Sequence, residues 1–127
     1  VLMRANPPDD AAALREMLSQ AGNTLWLAER RGEPVGMLRL EVHSHGAADI
    51  VQVEGVAAIT GLYVRPQARG LGAAAAMLDA ALAHYRALDY KCCSVDFESF
   101  NPTAAAFWMK YFQPVCFSLM RHPEALL

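Results

Sequence analysis

The segment VRPQARGLGAAAAML, Val64 to Leu78, holds the residues best suited to chemistry. Gly70 and Gly72 carry no Cβ to keep a ligand from the main chain, and Ala73 and Ala74 keep the next turn thin. Arg65 and Arg69 add positive charge. A helix start leaves up to four N–H groups unpaired and carries a partial positive charge. Together these features read as a cradle for a phosphate or diphosphate. A turn that merely needs glycine would show the same Gly-x-Gly. Known nucleotide motifs fit poorly. A phosphate loop of the form G-x-x-x-x-G-K-[ST] needs a lysine that is absent here. A dinucleotide fingerprint belongs in the first βαβ unit, with an acidic residue about 20 positions on. This loop follows the fourth expected strand.

The elements that must position the loop follow from periodicity. Residues 1–5 are a short strand candidate. A helix capped by Asp9 or Asp10 runs toward Gly22, with Leu14, Met17 and Leu18 as its apolar stripe. The run from Thr24 to Ser44 reads as a hairpin turning at RRGEP. A polar connection leads to 56–64, a continuous apolar run expected to be a central strand buried on both faces. A helix is expected over about 70–88, with Leu71, Ala75, Leu78, Leu82 and Tyr85 on its apolar face. A strand follows at 91–98. Asn101 caps a further helix with Pro102 in its first turn, and 114–122 reads as a last strand. The order β-α-β-β-β-α-β-α-β implies a mixed α/β sheet with helices on its faces.

With loop, preceding strand and following helix in this order, the sequence resembles the GCN5-related N-acetyltransferases (GNAT). LYVRPQARGLGAAAAML is similar to their Q/R-x-x-G-x-G/A motif, with Gln67, Gly70 and Gly72 in its fixed positions. NPTAAAFWMKYF is similar to their N-x-x-A-x-x-F-Y segment. The resemblance covers nearly the whole chain. It implies a largely antiparallel, twisted sheet of about six strands, with helices on both faces and the fourth and fifth strands splayed apart. It also implies acetyl-coenzyme A as cosubstrate and an amine as acceptor. Carried over, the pantetheine arm pairs with the backbone of Leu62, Tyr63 and Val64. The diphosphate meets N–H groups of Arg69, Gly70, Leu71, Gly72, Ala73 and Ala74. Asn101 matches an asparagine that often touches the cofactor, and it reads equally as a plain N-cap.

Some positions depart from the family pattern. A glutamate often stands where Ala58 stands here, and Glu54 lies roughly 26 Å along the strand from Leu62. The position of the tyrosine that protonates the leaving thiolate holds Trp108. Tyr111, one turn on, is a candidate substitute and otherwise a core residue. Glu98, at the end of its strand, is the second catalytic candidate and otherwise a solvated acid. A second helix usual before the hairpin is missing, which leaves the acceptor pocket short of a wall. A homodimer, or an N-terminal domain of a tandem protein, is the expected remedy. Trp26, Phe107 and Trp108 are candidates for the surface it would cover, and otherwise core. A non-catalytic acetyl-coenzyme A-binding or regulatory module is the alternative function.

Composition sets the outer limits. The chain has 127 residues, 54% of them hydrophobic, enough for one core. Residues 1–127 read as a single acetyltransferase domain, and Val1 as the start of a segment excised from a longer chain. A net charge of −2 gives no electrostatic case for nucleic acid. No apolar run approaches a membrane span. Cys92, Cys93 and Cys116 read as reduced core thiols of a cytoplasmic protein. His43 and His45 lack a third ligand, so no metal is expected. Lys91 and Lys110 read as solvated charges.

Overall fold

The computed structural model describes residues 11–42, 55–98 and 100–116. The chain divides into two compact units, Val1–Val95 and Asp96–Leu127, each taken by itself below. The expected strand at 1–5, the caps Asp9 and Asp10, the histidine pair and Glu54 lie outside the described residues.

In the first unit, α1 (Ala11–Ser19) precedes β1 (Thr24–Arg30), β2 (Glu33–Glu41), β3 (Val56–Val64), α2 (Ala73–Ala87) and β4 (Cys92–Val95). The sheet order is β1-β2-β3-β4, antiparallel for the first two pairings and parallel for the last. Crossover through α2 makes β4 parallel to β3. The sheet is mixed, as the sequence implied, with four strands among the described residues. Helix α1 is formed by good helix formers and stops before Gly22, whose φ is +91°. Its stripe is narrower than expected, because Met17 is buried but Leu18 is exposed. Buried Asn23 ties the ends together. Its Nδ2 donates to Met17 O, and its Oδ1 accepts from Val42 N, both at 2.9 Å.

Alternation along β2 puts Gly36, Leu38 and Leu40 on one buried face. Helix α2 lies over β1, β2 and β3. Gly36 sets how closely α2 can sit. A Cβ there would stand 3.1 Å from both Met77 Cε and the Tyr63 carbonyl oxygen. Met77, Leu78, Ala81 and Tyr85 are the buried face of α2. A polar chain anchors the C-terminal half of α2. Trp26 Nε1 donates to Thr24 Oγ1, and the Tyr85 hydroxyl donates to the Gly22 carbonyl at 2.6 Å. The 2.9 Å contact between the two hydroxyls therefore runs from Thr24 to Tyr85. Burial pushes the Tyr85 phenol up, against the opposing effect of Thr24.

Four expectations need correcting. The signature helix begins at Ala73, because Gly70 and Gly72 adopt φ of +77° and +86° and spend that stretch as a turn. Leu71 therefore lies outside the helix and is 60% exposed. Strand β3 is buried only over Val56–Ile59, the residues that β4 flanks, and Tyr63 is 51% exposed. The cysteines are not all core. Cys92 and Cys116 are exposed and Cys93 is half-buried, with burial first and Cys92 second pushing its thiol up to about 12.

The second unit contains α3 (Pro102–Trp108). Asn101 caps it, with Oδ1 accepting from Ala104 N at 3.0 Å. Trp108 is buried, and Phe107, Trp108, Tyr111 and Phe112 form an edge-to-face and tilted aromatic run. Residues 114–116 have no regular structure, so the expected last strand does not begin at Pro114.

Candidate functional site

Among the described residues of the first unit, the end of β3 carries an open main-chain edge. Strand β4 pairs with β3 from Val56↔Cys92 to Ile59↔Val95 and stops, while β3 continues to Val64. On the other side, Arg65 N donates to Val35 O at 2.8 Å, so those two residues face each other as a hydrogen-bonded pair. Antiparallel ladders alternate bonded and non-bonded pairs. The register makes Met37↔Tyr63 bonded, and Gly36↔Val64 and Leu38↔Leu62 non-bonded. The main-chain groups of Leu62 and Val64 therefore point away from β2, toward the side that β4 has left. Those of Tyr63 point into β2. Of the three residues expected to pair with an extended ligand, Leu62 and Val64 offer backbone, and Tyr63 offers an exposed ring.

A bulge sets where this edge begins. Between Leu40↔Ile59 and Arg39↔Gly61, Thr60 is the extra residue of β3. Arg39 holds it, with Nε on Thr60 Oγ1 and Nη2 on Thr60 O, each at 2.9 Å. The same Nε lies 3.8 Å from Glu41 Oε2. A Cβ at Gly61 would make ordinary contact with the guanidinium, at 3.5–3.6 Å.

Beyond Val64 the chain makes a short 3-10 turn over Pro66–Ala68 and then the glycine turn. Gly72 is the N-cap of α2 in the left-handed region and supplies no side-chain cap, and the first turn has no acidic residue. The N–H groups of Ala73, Ala74 and Ala75 precede the first intrahelical bond, which Ala76 N makes to Gly72 O at 3.0 Å. A Cβ at Gly70 or Gly72 would meet nothing within 4 Å, so the space over this helix end is open. Arg69 is fixed at its rim. Its Nε donates to Val64 O at 3.0 Å, and its Cζ lies 6.0 Å from the Tyr63 ring centre. A groove of about 560 Å³ runs from Leu71, Gly72 and Ala73 along α2 to Trp26 and Arg30. A second, of about 420 Å³, is lined by Arg30, Arg31, Arg65 and Gln67, with Glu33 beside them.

The structure thus brings Leu62, Val64 and Arg69 to Ala74 together in the first unit. Glu98, Asn101 and Tyr111 belong to the second unit. Glu98 O accepts from Asn101 N at 3.0 Å, and Tyr111 packs on Phe107 at 5.3 Å while half exposed, so it is not a core tyrosine. Ala58 is fully buried. Lys91 is solvated, its Nζ on Asp89 Oδ1 at 2.6 Å, and Lys110 is exposed. Trp26 is half-buried against His84. Among the described residues no group of three or more His, Cys, Asp or Glu could hold a metal ion. No described helix is long and apolar enough to cross a membrane.

The profile of the Acetyltransferase (GNAT) family matches residues 3–112. The chain belongs to the GNAT acetyltransferase family. No curated protein matches it. Among solved structures it is similar to the aminoglycoside acetyltransferase AAC(6')-Iy in complex with a bisubstrate analogue, CoA-S-monomethyl-acetylneamine. That match has 19% identity and a TM-score of 0.71, covering 95% of this chain and 85% of that one. It is similar also to AAC(6')-IG from Acinetobacter haemolyticus, at 20% identity and TM-score 0.67, covering 87% and 79%. A third is the ribosomal-protein-alanine N-acetyltransferase from Brucella melitensis biovar Abortus 2308, at 16% identity and TM-score 0.66, covering 92% and 81%. These likenesses establish the GNAT fold. The cosubstrate of the family reading is acetyl-coenzyme A, and AAC(6')-Iy was solved with a coenzyme A analogue. The uncapped helix end and the open β3 edge fit such a molecule.

Sequence reading did not single out Arg39, Glu41 or Thr60. A signal existed. Gly61 interrupts an otherwise apolar strand, which marks a bulge. The partners of that bulge depend on cross-strand register.

Proposed function

We propose that this chain transfers an acetyl group from acetyl-coenzyme A to a primary amine of a small molecule or peptide. The observation that carries the reading is the pairing of an uncapped α2 N-terminus, open above Gly70 and Gly72, with a β3 edge that presents Leu62 and Val64. The first suits a diphosphate and the second an extended amide-bearing arm. When bound, acetyl-coenzyme A supplies an activated thioester. The N–H groups from Gly70 to Ala74 hold and orient the diphosphate, while Arg69, whose N–H already donates to Pro66 O at 3.3 Å, contributes its charge. Leu62 exchanges main-chain hydrogen bonds with the arm, and Val64 offers its N–H, its carbonyl already accepting from Arg69 Nε at 3.0 Å. From the family pattern, Asn101 is proposed as a further cofactor contact, Tyr111 as the acid for the leaving thiolate and Glu98 as a second candidate group.

The acceptor class rests on the family and on neighbours named as an aminoglycoside 6'-N-acetyltransferase and a ribosomal-protein-alanine N-acetyltransferase. Exposed Leu27, Tyr63 and Leu71 support a covering partner, proposed as a second copy or an additional domain. Free thiols at Cys92, Cys93 and Cys116 favour a reducing, cytoplasmic setting. Ala58 and Trp108 favour a second reading, a cofactor-binding module without turnover. Thiol release from acetyl-coenzyme A separates the two, measured against aminoglycosides, polyamines and peptide N-termini. Amine-dependent release supports the enzyme. Tight binding without release supports the module.

A further inference from the structure

We propose that Glu41, on β2, accepts the proton of the acceptor ammonium, a role the usual position cannot serve because Ala58 fills it. This inference rests on the acetyl-transfer reading above. The register carries it. Glu41 pairs with Ala58, and Ala58 pairs with Ser94, so the three stand in one lateral row across β2, β3 and β4. Paired residues share a face of the sheet. Gly36, Leu38 and Leu40 point to α2, so Arg39 and Glu41 project from the opposite face, as does Ala58. A carboxylate on Glu41 therefore sits one strand, about 4.8 Å, from where a residue-58 carboxylate would start. Ala58 is fully buried, so the row is covered above β3, and Glu41 is reached from its own, partly exposed end.

The row also lies at the right depth. The open edge of β3 runs from the last β4 pairing at Ile59 to Val64, about 16 Å. The diphosphate cradle is at the Val64 end, so a thioester carried along Leu62 and Val64 arrives at the closed end, by Thr60. Arg39 pins Thr60 there through Oγ1 and O, and its Nε stands 3.8 Å from Glu41 Oε2. The Glu41 side chain is 25% exposed, open enough to meet an incoming amine. Ser94 Oγ, in the same row, is buried without a hydrogen-bond partner among the described residues. Around Glu41, β3 presents Ala58 and Thr60, β4 presents Ser94, and β2 presents Arg39. Arg39 is the ionised neighbour among these.

The step balances. The ammonium N–H bond breaks and its proton passes to the Glu41 carboxylate. The freed lone pair forms the C–N bond at the thioester carbonyl carbon. The C–S bond then breaks, its electron pair leaves on sulfur, and the second nitrogen proton ends on the thiol. Glu41 returns its proton to water.

The test compares wild type, Glu41→Gln and Glu41→Asp in thiol-release kinetics at one fixed pH, with acetyl-coenzyme A affinity measured by calorimetry. Loss of about 100-fold or more in kcat is expected for Glu41→Gln, with donor affinity within twofold. Glu41→Asp should keep part of the activity. A kcat within threefold of wild type in Glu41→Gln overturns the proposal and leaves the acetyl-transfer reading standing. So does a Glu41→Asp variant, folded by circular dichroism, that is no more active than Glu41→Gln. Wild type that binds acetyl-coenzyme A but turns over no amine overturns the underlying reading, and this inference with it.

Discussion

The guanidinium of Arg39 grips Thr60 twice, through Oγ1 and through the carbonyl oxygen, each at 2.9 Å. The contact spans β2 and β3 at the one residue that breaks their register. It fixes the bulge beside which the edge of β3 loses its strand partner among the described residues, and so where the proposed extended ligand would stop.

Thr60→Val keeps the side-chain shape and removes the hydroxyl acceptor. Loss of this charge-assisted bond should cost about 1.5–3 kcal/mol, read by urea unfolding. The slot should also widen, so acetyl-coenzyme A affinity should fall. Unchanged stability and affinity would show that the bulge does not depend on this grip.

Gly36→Ala should destabilise the protein by about 1–3 kcal/mol through overpacking. Met77 Cε can shift away from the new Cβ, but the Tyr63 carbonyl oxygen, also at 3.1 Å, is backbone. Thermal unfolding measures the effect, and a neutral outcome would mean that α2 floats above the sheet rather than seating on Gly36.

Cys93 gives a pH dependence with a definite sign. Its thiol is raised from about 9 to about 12 in the folded protein. The folded state thus holds this proton more tightly. The contribution is complete below pH 9, declines between 9 and 12, and is gone above 12. Cys93→Ala should flatten that alkaline loss. At neutral pH, alkylation followed by mass spectrometry should label exposed Cys92 and Cys116 before Cys93. Labelling of Cys93 first would contradict its burial.

Much of this was legible in the sequence. Gly70 and Gly72 marked an open main chain for a ligand, though not the turn that delays α2 to Ala73. The hairpin was visible from RRGEP, whose Arg31 and Gly32 both take positive φ. Burial of β3 was half legible, because an apolar run does not reveal where a flanking strand stops. Leu71 was misplaced by carrying helical periodicity back through a turn that only backbone angles expose. The Arg39, Thr60 and Glu41 cluster was hidden, because residues 39 and 60 meet only through strand register.

Replacing Gly72 tests the cradle. Gly72→Val adds a branched Cβ to a space that is otherwise open, at a φ of +86° that valine resists. Acetyl-coenzyme A affinity should fall at least about tenfold, or about 1.4 kcal/mol. Calorimetry on folded variant with unchanged affinity would remove the helix end from the site.

The account turns on which backbone groups of β3 meet the cosubstrate, and amide hydrogen exchange resolved by NMR reads them singly. On adding acetyl-coenzyme A, the N–H groups of Leu62 and Val64 and those of Gly72 to Ala75 should gain protection. Tyr63, already bonded to β2, should change least of the three strand residues. Binding that leaves Leu62 and Val64 unprotected, or protects them no more than Tyr63, would contradict the account.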